Sequence, residues 1–157
     1  KLHGVLSEEE SIRHFEALYD LGQDFGVTLA QENVVRFRSS DVDYIRAMRA
    51  QLGEKAHFVL DVKQAHRCGL EPETVIEAMG DRIVHVHISD RDESRDCLVP
   101  GQGIRDFTGL CRRLEAVGYD GCLMMELYRT NFERPEELVE GCRILEEAVK
   151  RAASKKG

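Results

Sequence analysis

The sequence has no apolar run near the roughly 20 residues that a helix needs to span a bilayer. Its opening stretch, KLHGVLSEEE, lacks the charged, apolar and small-residue regions of a signal peptide. A cytoplasmic location is the expectation. Positive charge is also short: 22 Lys and Arg stand against 29 Asp and Glu, a net charge of -7. That balance argues against a broad nucleic-acid or anionic-membrane surface, which is built by neutralising phosphates. It leaves small anionic substrates open through a local patch. The five cysteines, Cys68, Cys97, Cys111, Cys122 and Cys142, form no C-x-x-C pair and are odd in number. They read as reduced thiols, not as a disulfide frame or a zinc knuckle. No linker or break in composition divides the chain. It opens on Lys1 without an initiator methionine, in what reads as the middle of a loop. A trimmed piece of something longer is expected.

What is present is enough for one domain: 157 residues, of which 42% are apolar. Helix and strand patterns alternate four times. Ser7 and Glu10 have capping-box spacing, and Ile12, Phe15, Leu18, Tyr19 and Phe25 follow at helical spacing, so residues 7–25 form an amphipathic helix. Gly26 stops it, and VTLAQENV is a strand. Ser40 and Asp41 cap a helix over VDYIRAMRAQL, which Gly53 ends before the strand AHFVLDV. After Pro72 comes the short helix ETVIEAMG and then the strand RIVHVHIS. Residues 90–103 are a long polar loop with Pro100 and two glycines. The helix FTGLCRRLEAVG after Asp106, the strand GCLMMELY and a last helix opened by Pro135 complete the chain. Strands separated by helices imply parallel crossovers and an α/β fold. Two closures compete: an open doubly wound sheet, or four βα units forming half of a (β/α)8 barrel, which when complete needs about 250 residues.

Each strand's last apolar residues lead into an acid or an imidazole: Glu32, Asp61, His87 and Glu126. In parallel α/β folds the C-terminal strand ends carry ligand sites, so these four are expected to converge. Three carboxylates and an imidazole crowded into a dry pocket need a cation to neutralise them. The mixed oxygen and nitrogen set suits one divalent metal ion, Mn²⁺, Mg²⁺, Co²⁺ or Zn²⁺, without selecting among them. His87 is the ligand candidate of its strand because it lies nearer the end. His85 reads as a deeper, hydrogen-bonded core residue, and Asp90 is placed to orient an imidazole or hold an arginine.

The stretches LAQENV, FVLDVKQAHRCG, GDRIVHVHISD, PGQG with a following DF, and GYDGCLMMELYR together resemble the xylose-isomerase-like TIM-barrel superfamily of sugar phosphate isomerases and epimerases. The resemblance covers essentially the whole chain and aligns it with the C-terminal half of that fold, the N-terminal half being absent. It implies that Glu32, Asp61, His87 and Glu126 hold one divalent metal. It also implies that Glu32 and Glu126 face the substrate from opposite sides and exchange protons with it. The implied reaction is isomerisation or epimerisation of a small sugar or sugar phosphate through a metal-stabilised enediolate.

One position departs from the family. Where many members have a substrate-contacting histidine three residues after the metal-binding aspartate, this chain has Gln64, with His66 the nearest histidine. Lys63, if the strand continues, shares Asp61's face and reaches the substrate. Arg91 and Arg95 in the long loop, and Arg129 after Glu126, can bind a phosphate or carboxylate, or can serve surface ion pairs. His3 would sit at the end of a preceding strand. A half barrel leaves strand edges and an inner face open, so a homo-oligomer or pairing with the missing N-terminal half is expected. Two other readings stand beside the enzyme: a non-catalytic half-barrel fragment or dimerising module, and an apurinic-site endonuclease. Gln64 and the acidic charge weigh against the endonuclease.

Overall fold

The computed structural model describes residues 6–154, so His3 lies outside the described residues. Helix α1 (Glu8–Asp24) opens on the capping box: Ser7 Oγ accepts from the Glu10 amide at 3.2 Å, and Glu10 Oε2 accepts from the Ser7 amide at 2.7 Å. It buries Ile12 and Phe15. Helix α2 (Val42–Leu52) starts at Asp41, whose side chain accepts from the Asp43 amide, and ends at Gly53 with φ 56°. Helix α4 (Pro72–Met79), α5 (Phe107–Ala116) and α6 (Pro135–Ala153) fall where the apolar spacing places them.

The strands are β1 (Gln31–Glu32), β2 (Phe58–Asp61), β3 (Ile83–Ile88) and β4 (Leu123–Met125), all parallel and in sheet order 1-2-3-4. The two outer strands, each with a ladder partner on one side only among the described residues, are shorter than their apolar runs. The sequence pattern also hides one element. Asp61 ends β2 and at once caps α3 (Val62–Arg67), its side chain accepting from the Lys63 and Gln64 amides. The strand therefore does not run on to Lys63.

Residues alternate across the sheet. Phe58, Leu60, Val86 and Ile88 bury completely against Tyr44, Ile45 and Met48 of α2, Val75, Ile76 and Met79 of α4, and Leu110 and Leu114 of α5. The opposite face stays open. Val59, His85 and His87 are only partly covered, and Met124 is 51% exposed. A doubly wound sheet would carry helices on both faces. Cover on one face alone is the arrangement of barrel strands, with the uncovered face as the inside. His85 accordingly does not lie in the core: it stays partly exposed on that open face, its ring edge-on to His87 at 5.1 Å. Among the described residues no helix is long and apolar enough to cross a membrane.

Candidate metal centre

The ladder register fixes which strand ends meet. Glu32 pairs with Val59, Asp61 with His87, and His87 with Met124, while the Glu126 amide donates to Ile88 O at 3.1 Å. One ligand atom each from Glu32, Asp61, His87 and Glu126 lies within 4.8 Å of the others. His87 Nδ1 is 3.5 Å from Glu32 Oε1 and 3.8 Å from Glu126 Oε2.

Asp61 divides its oxygens between two tasks. Oδ1 accepts from the Lys63 amide at 2.7 Å and the Gln64 amide at 3.1 Å, which caps α3. Oδ2 is buried and makes no hydrogen bond, and His87 Nδ1 is in the same condition. Two buried polar atoms without a hydrogen bond, Asp61 Oδ2 having only an ion-pair neighbour in the Lys63 ammonium at 3.4 Å, are what a cation bound among these carboxylates would satisfy. Three oxygen donors and one imidazole nitrogen suit a divalent ion of the Mn²⁺, Mg²⁺, Co²⁺ or Zn²⁺ kind. The residues present therefore fit such an ion.

A cation of the chain's own is already in the cluster. Lys63, whose side chain is 3% exposed, donates from Nζ to Glu126 Oε2 at 2.6 Å and lies 3.4 Å from Asp61 Oδ2. Its Nζ sits 5.2 Å from the Tyr128 ring centroid. It reaches this place from the first turn of α3 and not by strand alternation. Burial pushes the Asp61 carboxyl up to about 6, against the pull of Lys63. Burial also pushes Glu126 up and Lys63 down, but the hydrogen bond and charge between them outweigh it. Glu126 ends below, and Lys63 above, its ordinary range.

The other sequence candidates fall elsewhere. Gln64 Oε1 accepts from the Val35 amide at 3.1 Å and so ties down the loop after β1. Arg91 faces Glu71 at 3.6 Å, Arg95 pairs with Asp92 at 2.6 Å, and Arg129 donates to Phe132 O at 2.8 Å. Among the described residues Asp90 makes no side-chain hydrogen bond to an imidazole or a guanidinium; the Arg105 side chain feels its charge but donates to Ser89 O at 3.1 Å. The two oxygens of Asp90 accept from the amides of Arg91, Gly101, Gly103 and Arg105 at 2.8–3.0 Å and so fold the long loop back on the sheet. Arg95 and His66 line an open cavity of about 640 Å³ together with Arg67 and Asp96. Arg67 bridges from that cavity to the Tyr128 hydroxyl at 3.1 Å.

Sequence reasoning passed over Asn33. Buried at 2% exposure, it donates from Nδ2 to Asp61 O at 2.9 Å and accepts at Oδ1 from the Asp61 amide at 2.7 Å. The side chain imitates one more rung of the ladder and joins the end of β1 to the end of β2. Its signal was an amide side chain directly after Glu32 at the close of an apolar run.

Comparison with known proteins agrees with this architecture. An apo crystal structure of 3-keto-D-glucoside 4-epimerase from E. coli superposes with a TM-score of 0.72 at 18% identity, over 89% of this chain and 53% of that one. Inosose isomerase of Bacillus velezensis is 26% identical over 164 residues, 92% of this chain and 57% of its own length. An uncharacterised protein of Mycobacterium leprae is 28% identical over 77 residues, 48% of this chain and 28% of its own. The matches thus span from 28% to 57% of these relatives' lengths. A sequence model of the xylose isomerase-like TIM barrel matches residues 6–148, nearly the whole chain, which therefore belongs to that family.

Proposed function

We propose that the chain carries the metal-binding and proton-transferring strand ends of an isomerase or epimerase acting on a small sugar or sugar phosphate. The observation that carries this reading is the convergence of four ligand atoms within 4.8 Å, with Asp61 Oδ2 and His87 Nδ1 both buried and without a hydrogen bond. A divalent ion held there would draw electron density from a substrate carbonyl and its neighbouring hydroxyl and so acidify the C–H between them.

The chain's own residues supply the rest. Glu126, oriented by its hydrogen bond from Lys63, would accept that proton. Glu32 comes from the other edge of the sheet and would return a proton from the second side. Return to the neighbouring carbon isomerises the sugar; return to the opposite face epimerises it. Two relatives support this chemistry by name, one an isomerase of inosose and one a 4-epimerase of a 3-keto-glucoside. The open inner face supports a companion proposal, that the chain works against a second four-unit segment, either a copy of itself or a preceding half.

The test is proton exchange. The protein with Mn²⁺ is incubated in D2O with a panel of ketoses, keto-glycosides and their phosphates, and proton NMR follows the C–H beside the carbonyl. Loss of that signal with at least one substrate, abolished by Glu126→Gln, is expected. No exchange from a protein shown to hold metal would overturn the reading.

A further inference from the structure

The four strand-end residues do not account for Lys63. Its ammonium is fixed on the very oxygen, Glu126 Oε2, that lies 3.8 Å from His87 Nδ1, and it lies 3.4 Å from Asp61 Oδ2, which makes no hydrogen bond. Its placement is built and not incidental. Asp61 Oδ1 caps α3 through the Lys63 amide itself, so the backbone that holds the metal-facing aspartate also turns the lysine inward. The Tyr128 ring then lies over the ammonium at 5.2 Å.

Charge decides what this lysine does. Glu32, Asp61 and Glu126 bring three negative charges to a partly buried site, and a divalent ion returns two. One negative charge would remain in a setting where an unbalanced charge is costly. Lys63 removes it. The same ammonium repels any dication brought to the cluster and occupies part of Glu126 Oε2.

We propose that Lys63 is a positioning residue that sets the charge of this centre: it aligns Glu126 and makes the cluster bind a divalent metal more weakly than its four ligands alone would. The inference rests on the reading of Glu32, Asp61, His87 and Glu126 as a metal site. Its consequence is a centre that holds together without metal and exchanges it readily.

The sign of the effect is the test. A residue that merely props the ligands would weaken metal binding when removed; a repelling charge strengthens it. Chelator-stripped wild type, Lys63→Met, Lys63→Gln and Lys63→Arg are titrated with Mn²⁺ by calorimetry at pH 7.5, beside thermal melts with and without the ion. Met keeps the buried stem without the charge, and Gln keeps a donor toward Glu126; either suffices where the other does not fold. Both are expected to bind Mn²⁺ at least about tenfold more tightly than wild type, to melt lower without metal, and to regain more stability on its addition. Lys63→Arg is expected to stay near wild type. Folded Lys63→Met or Lys63→Gln protein with equal or weaker affinity would overturn the inference while the metal site stands. Absence of binding by wild type and variants alike would overturn both.

Discussion

Replacing Asp90 by asparagine tests how the long loop is held over the sheet. The two side chains have the same shape, so packing is unchanged and only hydrogen bonding differs. In the native protein Oδ1 accepts from the Arg91 and Arg105 amides at 2.8 and 3.0 Å, and Oδ2 from the Gly101 and Gly103 amides at 2.9 Å each. Four N–H donors require a group that only accepts, which a carboxylate is and an amide is not. In Asp90→Asn one oxygen becomes NH2, and two backbone N–H groups then face a donor. Hydrogen bonds to a charged acceptor contribute about 1.5–3 kcal/mol each, so two lost bonds bound the cost at about 3–6 kcal/mol. Gly101 lies at the surface, where water can replace part of the loss. The lower end, about 3 kcal/mol, is therefore expected, a large share of the roughly 5–15 kcal/mol that holds a domain folded. Urea unfolding of both proteins at pH 7 measures it, with hydrogen exchange at the four amides as a local readout. A loss under about 1 kcal/mol, with the four amides still protected, would refute the argument that this carboxylate organises the loop.

Two further substitutions probe the core and the join between strand ends. Leu60→Ala empties a fully buried position between the sheet and its helices and should cost about 2–5 kcal/mol in urea unfolding. Asn33→Ala leaves the Asp61 amide and carbonyl without their partners, at about 2–4 kcal/mol. It should also weaken Mn²⁺ binding in calorimetry, since Glu32 loses its tie to Asp61; unchanged affinity would show that the join has no bearing on the site.

The parts of the fold that follow from local chemistry were readable in the sequence. The Ser7 and Glu10 box, the stops at Gly26 and Gly53 and the four strand-end residues all appear where short-range rules place them. What was hidden depends on choices that only the folded chain makes. In FVLDVKQ the apolar run masks a strand that ends on Asp61, because the aspartate is at once the last rung of the ladder and the cap of α3. Misplacing that boundary put Lys63 on a strand face, whereas the helix turn delivers it to Glu126. Asp90, just past the strand, reads in the sequence as a group to orient an imidazole or hold an arginine. Its carboxylate instead meets amides up to fifteen residues away, across a loop whose path no periodicity reveals. His85 shares its face with His87 as alternation requires, but its partial exposure follows from the open inner side of the sheet.

The claim that the four strand ends form one metal centre is tested most directly by counting. Protein prepared without chelator or affinity tag is brought to equilibrium by dialysis against Mn²⁺, and the ion bound in excess of the dialysate is counted by elemental analysis beside His87→Ala and Glu126→Gln. One ion per chain in the wild type, with most of it lost in both variants, is the result this account predicts. No bound ion in the wild type, or an ion retained undiminished in both variants, would contradict it.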